Sequence, residues 1–403
     1  MKLSEELLWR GFYKQTTLKN PSELDNKKYT VYLGADPTGD SLHVGHLAVY
    51  MLVRRFLEHG HEVVLLIGGG TGIIGDPGGR DDERQLQSIE QISANTTALS
   101  SQVQKLFGDK QFTLVNNYDW LKNLTVIDFL RNTGKHFSMT QLVDRDYIAT
   151  RMGEGGSGIS YAEFSYTLLQ GYDFLHLYKN NNVNFQIGGS DQWGNILSGV
   201  DLIRKVEGAE VDGMTAPLVI DKSTGKKFGK SFGGAIWLDP SKTSPYKFYQ
   251  FWLGSSDEAV IDYLKLFTLL NKEEIDAIES EHFTSPEKRV AQKRLASEIT
   301  DLVHSKKRRE EVEHVTEVLF GGQNINNLNE DEIKALAGEI PTAVFGDVSN
   351  ILVETKTVSS LGEARRLISG GGVSVDGKKI NEDESINQLS LIKKGKNNFI
   401  LVQ

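Results

Sequence analysis

Residues 29–46 read Tyr-Thr-Val-Tyr-Leu-Gly-Ala-Asp-Pro-Thr-Gly-Asp-Ser-Leu-His-Val-Gly-His. The β-branched and aromatic residues at 29–33 predict a strand, and the turn-forming residues at 34–40 end it. Apolar residues at helical spacing follow over 42–59, and a continuous apolar run at 61–67 predicts the next strand. A strand, a helix and a strand in this order form a βαβ unit, so we predict a parallel sheet with a right-handed crossover.

The same alternation continues along the chain, with strands expected at 112–116 and 185–187 and helices at 125–135, 161–178 and 191–206. The predicted fold class is therefore α/β, with a Rossmann-like parallel-sheet domain over residues 1–220. Residues 221–244 are interpreted as a lysine-rich loop and connection, 245–320 as an all-helical domain, and 321–348 as a turn-rich linker. A small α+β domain is expected over 349–403, with a helix at 360–369 and strands at 373–375 and 398–402.

Composition places the chain among globular proteins. Of its 403 residues 39% are hydrophobic and 25% are charged, which is typical of a protein with several domains. The sequence predicts neither a membrane-spanning helix nor a signal peptide, and these features fit a cytoplasmic location. Cysteine is absent, which excludes disulfides and thiolate metal sites, and no other metal site is predicted.

Charge is unevenly distributed. The net charge is −9, but residues 350–403 hold eight Lys or Arg against six Asp or Glu. An acidic body with a mildly basic C-terminal part favours local rather than general contact with a polyanion.

The turn after the first strand carries the first chemical motif. His43 and His46, with Gly45 between them and Thr38 just before, are placed at the amino end of the predicted helix. Helix N-termini bind phosphate groups, imidazole donors can stabilise developing charge, and glycine lets a nucleotide approach the backbone. The alternative interpretation is a pair of surface histidines beside a turn.

A second motif lies in the polar stretch that contains Lys226, Lys227, Lys230 and Ser231. Glycines at 225 and 229 would permit movement of a loop whose ammonium groups meet a phosphate. The alternative is a solvated basic loop. The two motifs support each other, because both predict a site that binds a nucleoside triphosphate.

The third set lies on the helix predicted at 161–178. Tyr166, Gln170 and Asp173 are spaced to share one face of this helix, among apolar neighbours. Half-buried polar side chains need partners, which either a small polar ligand or an internal hydrogen-bond network would supply. The Gly188-Gly189-Ser190-Asp191-Gln192 turn adds a close backbone approach and a carboxylate that could accept from a ribose hydroxyl.

Together these residues resemble bacterial tyrosyl-tRNA synthetases, which are class I aminoacyl-tRNA synthetases. The resemblance covers nearly the whole chain, and its most specific stretches are 32–46, 72–77, 116–120, 164–173, 186–195 and 227–231. Residues 349–403 resemble the RNA-binding module named after ribosomal protein S-four. The family has a related member specific for tryptophan, but Tyr32 and Asp173 favour a phenol as substrate.

The resemblance implies a role for each matching position. Tyr32, Asp36, Asp76, Asn117, Tyr166, Gln170, Asp173 and Gln192 would bind tyrosine. ATP would contact Gly34, Gly45, Gly189, Asp191 and Lys230, and its phosphates would meet Thr38, His43, His46, Arg80, Arg84, Lys227, Lys230 and Ser231. Arg80 and Ser231 stand where the family often has lysine and threonine, and they keep the charge and the hydroxyl.

The resemblance also implies the reaction and the partners. L-tyrosine and ATP, accompanied by Mg²⁺, would give tyrosyl-adenylate, and tRNA(Tyr) would then receive the tyrosyl group. The helical domain 245–320 would bind the anticodon region, and a homodimer is implied. Candidate RNA contacts in the last domain are Arg365, Arg366, Lys378, Lys379, Lys393, Lys394 and Lys396, although such residues can also serve only solubility.

Two further hypotheses compete with this one. An RNA-binding protein that keeps the catalytic site only as a scaffold would bind RNA without activating an amino acid. Another nucleotidyltransferase with the same pair of histidines would lack the lysine motif and the RNA-binding module.

Overall fold

The computed structural model describes residues 1–76, 87–108, 110–143, 146–153, 155–220 and 234–403. The chain forms two compact units. The first consists of Met1–Thr243 and Gly254–Leu295, and the second of Ser244–Leu253 and Ala296–Gln403. In the described part of the chain, no helix has the length and apolar character needed to span a membrane.

The first unit is built on a sheet of six strands: β1 (Gln15–Thr16), β2 (Thr30–Ala35), β3 (Glu62–Ile67), β4 (Thr113–Asn116), β5 (Phe185–Gly189) and β6 (Asp212–Ala216). Their order is β1-β6-β5-β2-β3-β4, and all neighbours are parallel except β1 and β6. The predicted parallel sheet is therefore confirmed. Strands β2 and β5 are adjacent although most of the domain lies between them in sequence, which opens a crevice at their carboxyl ends.

Helices cover both faces of this sheet. The helices of this part of the chain are α1 (Leu3–Arg10), α2 (Glu23–Asn26), α3 (Val44–Glu58), α4 (Thr71–Ile74), α5 (Ile89–Phe107), α6 (Tyr118–Leu121), α7 (Val126–Asn132), α8 (Met139–Val143), α9 (Asp146–Met152), α10 (Tyr161–Asn181) and α11 (Trp193–Glu207). On one face, Phe174 of α10 and Leu202 of α11 share a core with Tyr32 of β2 and Val64 of β3. This packing places the polar stripe of α10 over the end of β2.

The sequence missed strands β1 and β6. Strand β6 reads Asp-Gly-Met-Thr-Ala, which lacks a β-branched or aromatic run, and Gly213 is a residue that weakens strands. In the structure a Cβ on Gly213 would lie 2.4 Å from Cγ2 of Ile196 on α11. The glycine therefore allows the helix to approach the strand closely, and tertiary packing outweighs the local preference.

Further helices are α12 (Pro245–Leu253), α13 (Val260–Phe267), α14 (Lys272–Thr284), α15 (Val290–His304), α16 (Lys306–Phe320), α17 (Glu330–Ala337), α18 (Val348–Glu354) and α19 (Leu361–Ser369). Residues 245–320 are helical as expected, but α13 and α14 belong to the first compact unit. The guanidinium of Arg10 donates to the carbonyl oxygens of Lys265 (2.7 Å) and Leu270 (2.5 Å). These bonds satisfy carbonyl groups around the end of α13 and attach it to α1.

The second unit has strands β7 (Thr342–Ala343), β8 (Gly346–Asp347), β9 (Val373–Val375), β10 (Lys378–Ile380), β11 (Ser385–Ile386), β12 (Ser390–Lys394) and β13 (Asn398–Val402). Five of them form a sheet in the order β10-β9-β12-β13-β7, while β11 pairs with β8. Helices α18 and α19 share a core with one face of the sheet through residues such as Ile351, Ile368 and Ile392. This is the expected small α+β arrangement.

The segment assigned to a linker, residues 321–348, differs from that expectation. It contains α17, and its Ile325, Leu328 and Leu336 are buried with Leu391 and Phe399 of the small sheet. Polar residues separate these apolar positions, so the segment looks turn-like locally although it contributes to a core. The predicted domain boundaries remain a prediction.

Candidate active site

A cavity of about 380 Å³ lies in the first unit, at the carboxyl ends of β2 and β5. This is the crevice where open α/β sheets bind their ligands. Its lining brings together most of the residues proposed from sequence, namely Tyr32, Gly34, Asp36, Thr38, His43, Gly45, His46, Asp76, Tyr166, Gln170, Asp173, Gly189, Asp191 and Gln192.

Two imidazoles stand at the start of α3. Nδ1 of His43 accepts a hydrogen bond from the N–H of Gly45 (3.0 Å), and Nδ1 of His46 accepts from the N–H of His43 (3.2 Å). Their rings stack with centroids 3.9 Å apart. Since each Nδ1 is an acceptor, a neutral ring carries its proton on Nε2. Both residues are therefore N–H donors at a helix N-terminus, where anions bind favourably.

His46 is held in its neutral form. Partial removal from water, and then the neighbouring His43, lower the pKa of His46 well below its usual range. Part of the side chain still faces the open cavity. At neutral pH the residue therefore offers an N–H dipole rather than a full charge.

Asp173 lies on α10 and is 3% exposed. Its Oδ2 accepts from Nδ2 of Asn117 and its Oδ1 from Nε1 of Trp120, both at 2.8 Å. Burial raises the pKa of Asp173 to about 7; Asn117 and Trp120 oppose the rise, and Asp36 adds to it. The carboxyl group therefore titrates near neutral pH, fixed in orientation by two donors.

Several polar atoms of the cavity wall have no protein partner within the described ranges: the hydroxyl of Tyr32 and the Oε1 atoms of Gln170 and Gln186. Burial, and then the charge of Asp173, raise the pKa of Tyr32, so that its hydroxyl stays a donor. A buried polar group without a partner costs roughly 1–3 kcal/mol. These atoms are therefore positions where a polar ligand would gain hydrogen bonds.

Two carboxylates stand beside these atoms. Asp36 accepts from Oγ1 of Thr71 (2.7 Å) and from the hydroxyl of Tyr166 (2.9 Å), and Asp76 accepts from Nε2 of Gln192 (2.7 Å). Burial, followed by Asp36 and Asp76, raises the pKa of Tyr166. The pair creates negative potential on the cavity wall, which suits an ammonium group.

Not every predicted residue lies on the cavity surface. Asn117 is fully buried behind Asp173 and also donates to Thr71 (2.9 Å), so it orients the carboxylate instead of lining the cavity. Arg80, Arg84, Lys227, Lys230 and Ser231 lie outside the described residues, and their roles stay predictions. The chain on either side of 221–233 is close to the site, because Val219 lines the cavity and the carbonyl of Ile236 accepts from the N–H of Val44 (2.9 Å).

Sequence reasoning gave no role to Thr71, Trp120 or Gln186. Strand register could have found Gln186, because it pairs with Tyr32 across neighbouring parallel strands and so shares its face of the sheet. Trp120 lies in the quoted stretch 116–120, but its bond to Asp173 joins residues 53 positions apart. No local signal predicts that contact.

The seven candidate RNA contacts lie in the second unit. Arg365 and Arg366 are exposed on α19, and Lys378 and Lys379 are exposed on β10. Lys393 and Lys394 lie half-buried on β12, and Lys396 is exposed in the turn that follows it. The Nζ of Lys394 donates to the carbonyl of Thr357 (2.6 Å), so this lysine is engaged within the fold.

The fold and the cavity agree with the comparisons with known proteins. A family model described as tRNA synthetases class I (W and Y) matches residues 24–321, and one for the S4 domain matches residues 348–384. The chain belongs to this class I tRNA synthetase family.

Individual relatives of this chain are more specific than the family model, and they are named for tyrosine. It is 46% identical to "Tyrosine--tRNA ligase" of Limosilactobacillus fermentum, over all of this chain and 99% of the relative. It is also 46% identical to "Tyrosine--tRNA ligase 2" of Bacillus cereus, over the full length of both. A C-terminally truncated mitochondrial tyrosyl-tRNA synthetase of Aspergillus nidulans superposes with a TM-score of 0.72 and 32% identity, covering 79% of this chain and 94% of the other.

Proposed function

We propose that this chain is a tyrosine–tRNA ligase, which activates L-tyrosine with ATP and transfers the tyrosyl group to the 3′ end of tRNA(Tyr). The observation that carries the proposal is the cavity itself. Two imidazole donors line it at the start of α3. Within the described chain, the carboxyl group of Asp173, two unpaired amide oxygens and an unpaired phenol line it elsewhere. Full-length similarity to named tyrosine–tRNA ligases supports the same substrate.

Tyrosine recognition follows from the partners that the cavity leaves unfilled. The substrate phenol hydroxyl would bind Tyr32 and Asp173, and its ammonium group would bind Asp76, Tyr166 and Gln170. A site built to hydrogen-bond a hydroxyl rejects the analogue without it, and tyrosyl-tRNA synthetases are themselves the known example of this rule. Phenylalanine would leave the Tyr32 hydroxyl unpaired and would give Asp173 no donor from the substrate.

The remaining predicted contacts surround these groups. Asp36 and Gln192 would lie beside the ammonium and carboxylate of tyrosine. Gly34 and Gly189 would let adenosine approach the backbone, and Asp191 would accept from its ribose.

The activation step needs positioning more than acid–base chemistry. The tyrosine carboxylate is already a nucleophile; its oxygen attacks the α-phosphorus of ATP, the bond to the bridging oxygen breaks, and pyrophosphate leaves. His43, His46 and Thr38 would donate to phosphate oxygens as charge develops there, which is electrostatic stabilisation by preorganised dipoles. In the second step a ribose hydroxyl of the tRNA attacks the tyrosyl carbonyl carbon and AMP leaves.

We infer that Mg²⁺ enters with ATP. Mg²⁺ usually binds through substrate phosphates and a few carboxylates, and no group of three or more His, Asp or Glu residues in the described ranges is arranged to hold a metal ion. Asp36 and Asp76 already accept hydrogen bonds within the protein. The ion would neutralise charge on the phosphates.

Recognition of tRNA is proposed for the second unit, through the S4-like part. Lys379, Ser374 and Lys393 pair in one row across β10, β9 and β12, so their side chains share a face of the sheet. This is the face opposite the one against which α19, with Arg365 and Arg366, packs. Cations on two faces suit contact with an RNA backbone, whose phosphates supply most of the affinity.

A homodimer is proposed as the assembled form, and the cytoplasm as its location. Large apolar side chains between residues 118 and 161 are open to solvent, including Val126 (71%), Ile127 (72%) and Tyr161 (71%). Exposed apolar residues at such density mark an interaction surface, and a second copy of the chain would cover them. A monomer mass in sedimentation equilibrium would refute the dimer, and recovery of the protein in a membrane fraction would refute the location.

The direct test is tyrosine-dependent exchange of pyrophosphate into ATP, followed by charging of tRNA(Tyr). We expect exchange with tyrosine and far less with phenylalanine or tryptophan. RNA binding without exchange would favour the scaffold hypothesis instead. Exchange only with a substrate other than an amino acid would favour another nucleotidyltransferase.

A further inference from the structure

We propose that Trp237 is a positioning residue for the activation step, which holds the imidazoles of His43 and His46 in the orientation that their phosphate contacts need. The inference rests on the proposed function. It concerns a residue to which neither the sequence motifs nor the tyrosine and ATP contacts assign a role.

Backbone pairing places Trp237 directly opposite His43. The N–H of Val44 donates to the carbonyl of Ile236 and the N–H of Leu238 donates to the carbonyl of Leu42, both at 2.9 Å. His43 and Trp237 therefore form an antiparallel bridge. They are a pair without direct hydrogen bonds between them, the type in which opposing side chains come closest.

The side chains form a continuous series of contacts. The indole of Trp237 meets the ring of His43 edge to face, with centroids 5.9 Å apart at 69°, and His43 stacks on His46 at 3.9 Å. The indole also lies under Nζ of Lys242 at 5.0 Å, and Lys242 forms an ion pair with Asp40. The indole thus contacts both His43 and a cation that is paired with the turn before α3.

The backbone of Trp237 is fixed as well. Its N–H donates to Oγ1 of Thr243 (3.0 Å), which is 5% exposed. The N–H of Asp239 donates to Oγ of Ser41 (3.2 Å), which is also buried. These bonds tie residues 237–243 to residues 40–44 at several points, so the backbone that carries the indole stays next to His43.

This arrangement matters because the histidines act as oriented donors. Their Nδ1 atoms are used within the turn, so the direction of each Nε2–H depends on the ring plane. Sites of this kind need their groups within roughly 0.5 Å and 10–20° of the productive geometry. An edge-to-face aromatic contact fixes the plane of His43, and stacking passes the constraint to His46.

The experiment compares kcat and KM for tyrosine-dependent exchange in the full-length protein. We expect Trp237→Leu to lower kcat about tenfold, since misplaced groups reduce rate more than binding, and to change KM for tyrosine less than about twofold. Trp237→Phe keeps an aromatic edge and should recover most of kcat; it also carries the test if the leucine variant fails to fold.

A double-mutant cycle separates positioning from general destabilisation. If Trp237 acts through the imidazoles, Trp237→Leu will cause no further loss of kcat in a variant that already carries His43→Ala and His46→Ala. An equal loss in both backgrounds, or no loss in the wild-type background, overturns the proposal.

Trp9 provides the matched control. It is half-buried, it contacts cations at 5.0–5.7 Å, and it lies on α1, outside the residues that line the cavity. Trp9→Leu should leave kcat unchanged. If the wild-type protein showed no exchange with tyrosine, the proposed function would fail, which is a distinct result from a normal kcat in Trp237→Leu.

Discussion

Asp173 shows how a single residue can serve the cavity at a cost to the fold. Both of its oxygens are bound by donors of the protein, yet burial still raises the pKa of Asp173 to about 7. The charged form of this carboxylate is disfavoured, because burial removes it from water more than its two donors compensate. The proposed role in binding the substrate hydroxyl would account for that cost.

The raised pKa predicts a pH dependence of stability. Between about pH 4 and 7 the folded protein keeps a proton on Asp173 that the unfolded chain has lost, so the free energy of unfolding falls as pH rises through this window. We expect the wild-type protein to lose about 2–3 kcal/mol more than Asp173→Asn between about pH 5 and pH 8, measured by urea unfolding.

The comparison uses the slope of the unfolding free energy against pH, so any cost of the substitution that does not depend on pH cancels. Asp119, whose side chain is 70% exposed, gives the matched control, and Asp119→Asn should keep the wild-type slope. Equal slopes for wild type and Asp173→Asn would show that Asp173 does not titrate in this range.

At the scale of elements, the site depends on how α10 begins. Ser160 caps this helix, and Glu163 completes a capping box with it. Burial raises the pKa of Glu163, but hydrogen bonds from Arg151 and Ser160 outweigh it and lower the pKa. Arg151 donates to both oxygens of Glu163, at 2.9 and 3.0 Å, and also to the carbonyl of Gly158 (2.7 Å).

The buried ion pair between Arg151 and Glu163 leads to a prediction about the stability of α10. Arg151→Met leaves Glu163 buried without its main partner and should cost about 3–5 kcal/mol of unfolding free energy in urea titrations. Adding Glu163→Gln should recover part of the loss. Because Tyr166, Gln170 and Asp173 are on the same helix, we expect KM for tyrosine to rise in the single variant.

An exposed pair supplies the comparison. Arg204 and Asp201 form an ion pair with side chains 64% and 47% exposed, so Arg204→Met should cost under about 1 kcal/mol. Similar costs for Arg151→Met and Arg204→Met would mean that the buried pair does not hold α10 in place.

At the scale of the whole molecule, the proposed activation site lies in the first compact unit and the proposed S4-like RNA surface in the second. Residues 321–348 contribute Ile325 and Leu328 to the core of the second unit, so a cut near Asn329 would expose apolar surface. Substitution of charged residues on the small sheet tests whether the second unit binds RNA, and it does not expose this apolar surface.

We predict that Lys379→Ala with Lys393→Ala weakens binding of tRNA(Tyr) and leaves tyrosine-dependent exchange unchanged. Each lost phosphate contact should reduce the slope of log K against log salt by about one. Filter binding over a range of salt concentrations measures both effects. Lys27→Ala with Lys28→Ala removes two lysines from the first unit, which pair with Glu23 and Glu62, and should not change the slope. An unchanged slope in the sheet variant would remove Lys379 and Lys393 from the RNA surface.

Local patterns in the sequence were enough for four of the six strands of the main sheet and for its first chemical motif. β2, α3 and β3 lie within a few residues of their predicted positions, because apolar periodicity and glycine turns act over short distances. In the small α+β domain, helix α19 and strands β9 and β13 were found for the same reason, but α18, β10, β11 and β12 were not predicted. Strand β6 was missed, because only the close approach of Ile196 makes Gly213 suitable there.

What the sequence by itself determined is a parallel sheet whose first turn presents two histidines at a helix N-terminus, since both follow from neighbouring residues. Only the tertiary structure decided that Asn117 and Trp120 hold Asp173, that strands β2 and β5 pair in the register that puts Gln186 beside Tyr32, and that Trp237 stands against His43. These contacts join residues 53 to 194 positions apart. Burial and ring geometry at such pairs depend on how the whole chain packs, so no local sequence pattern predicts them.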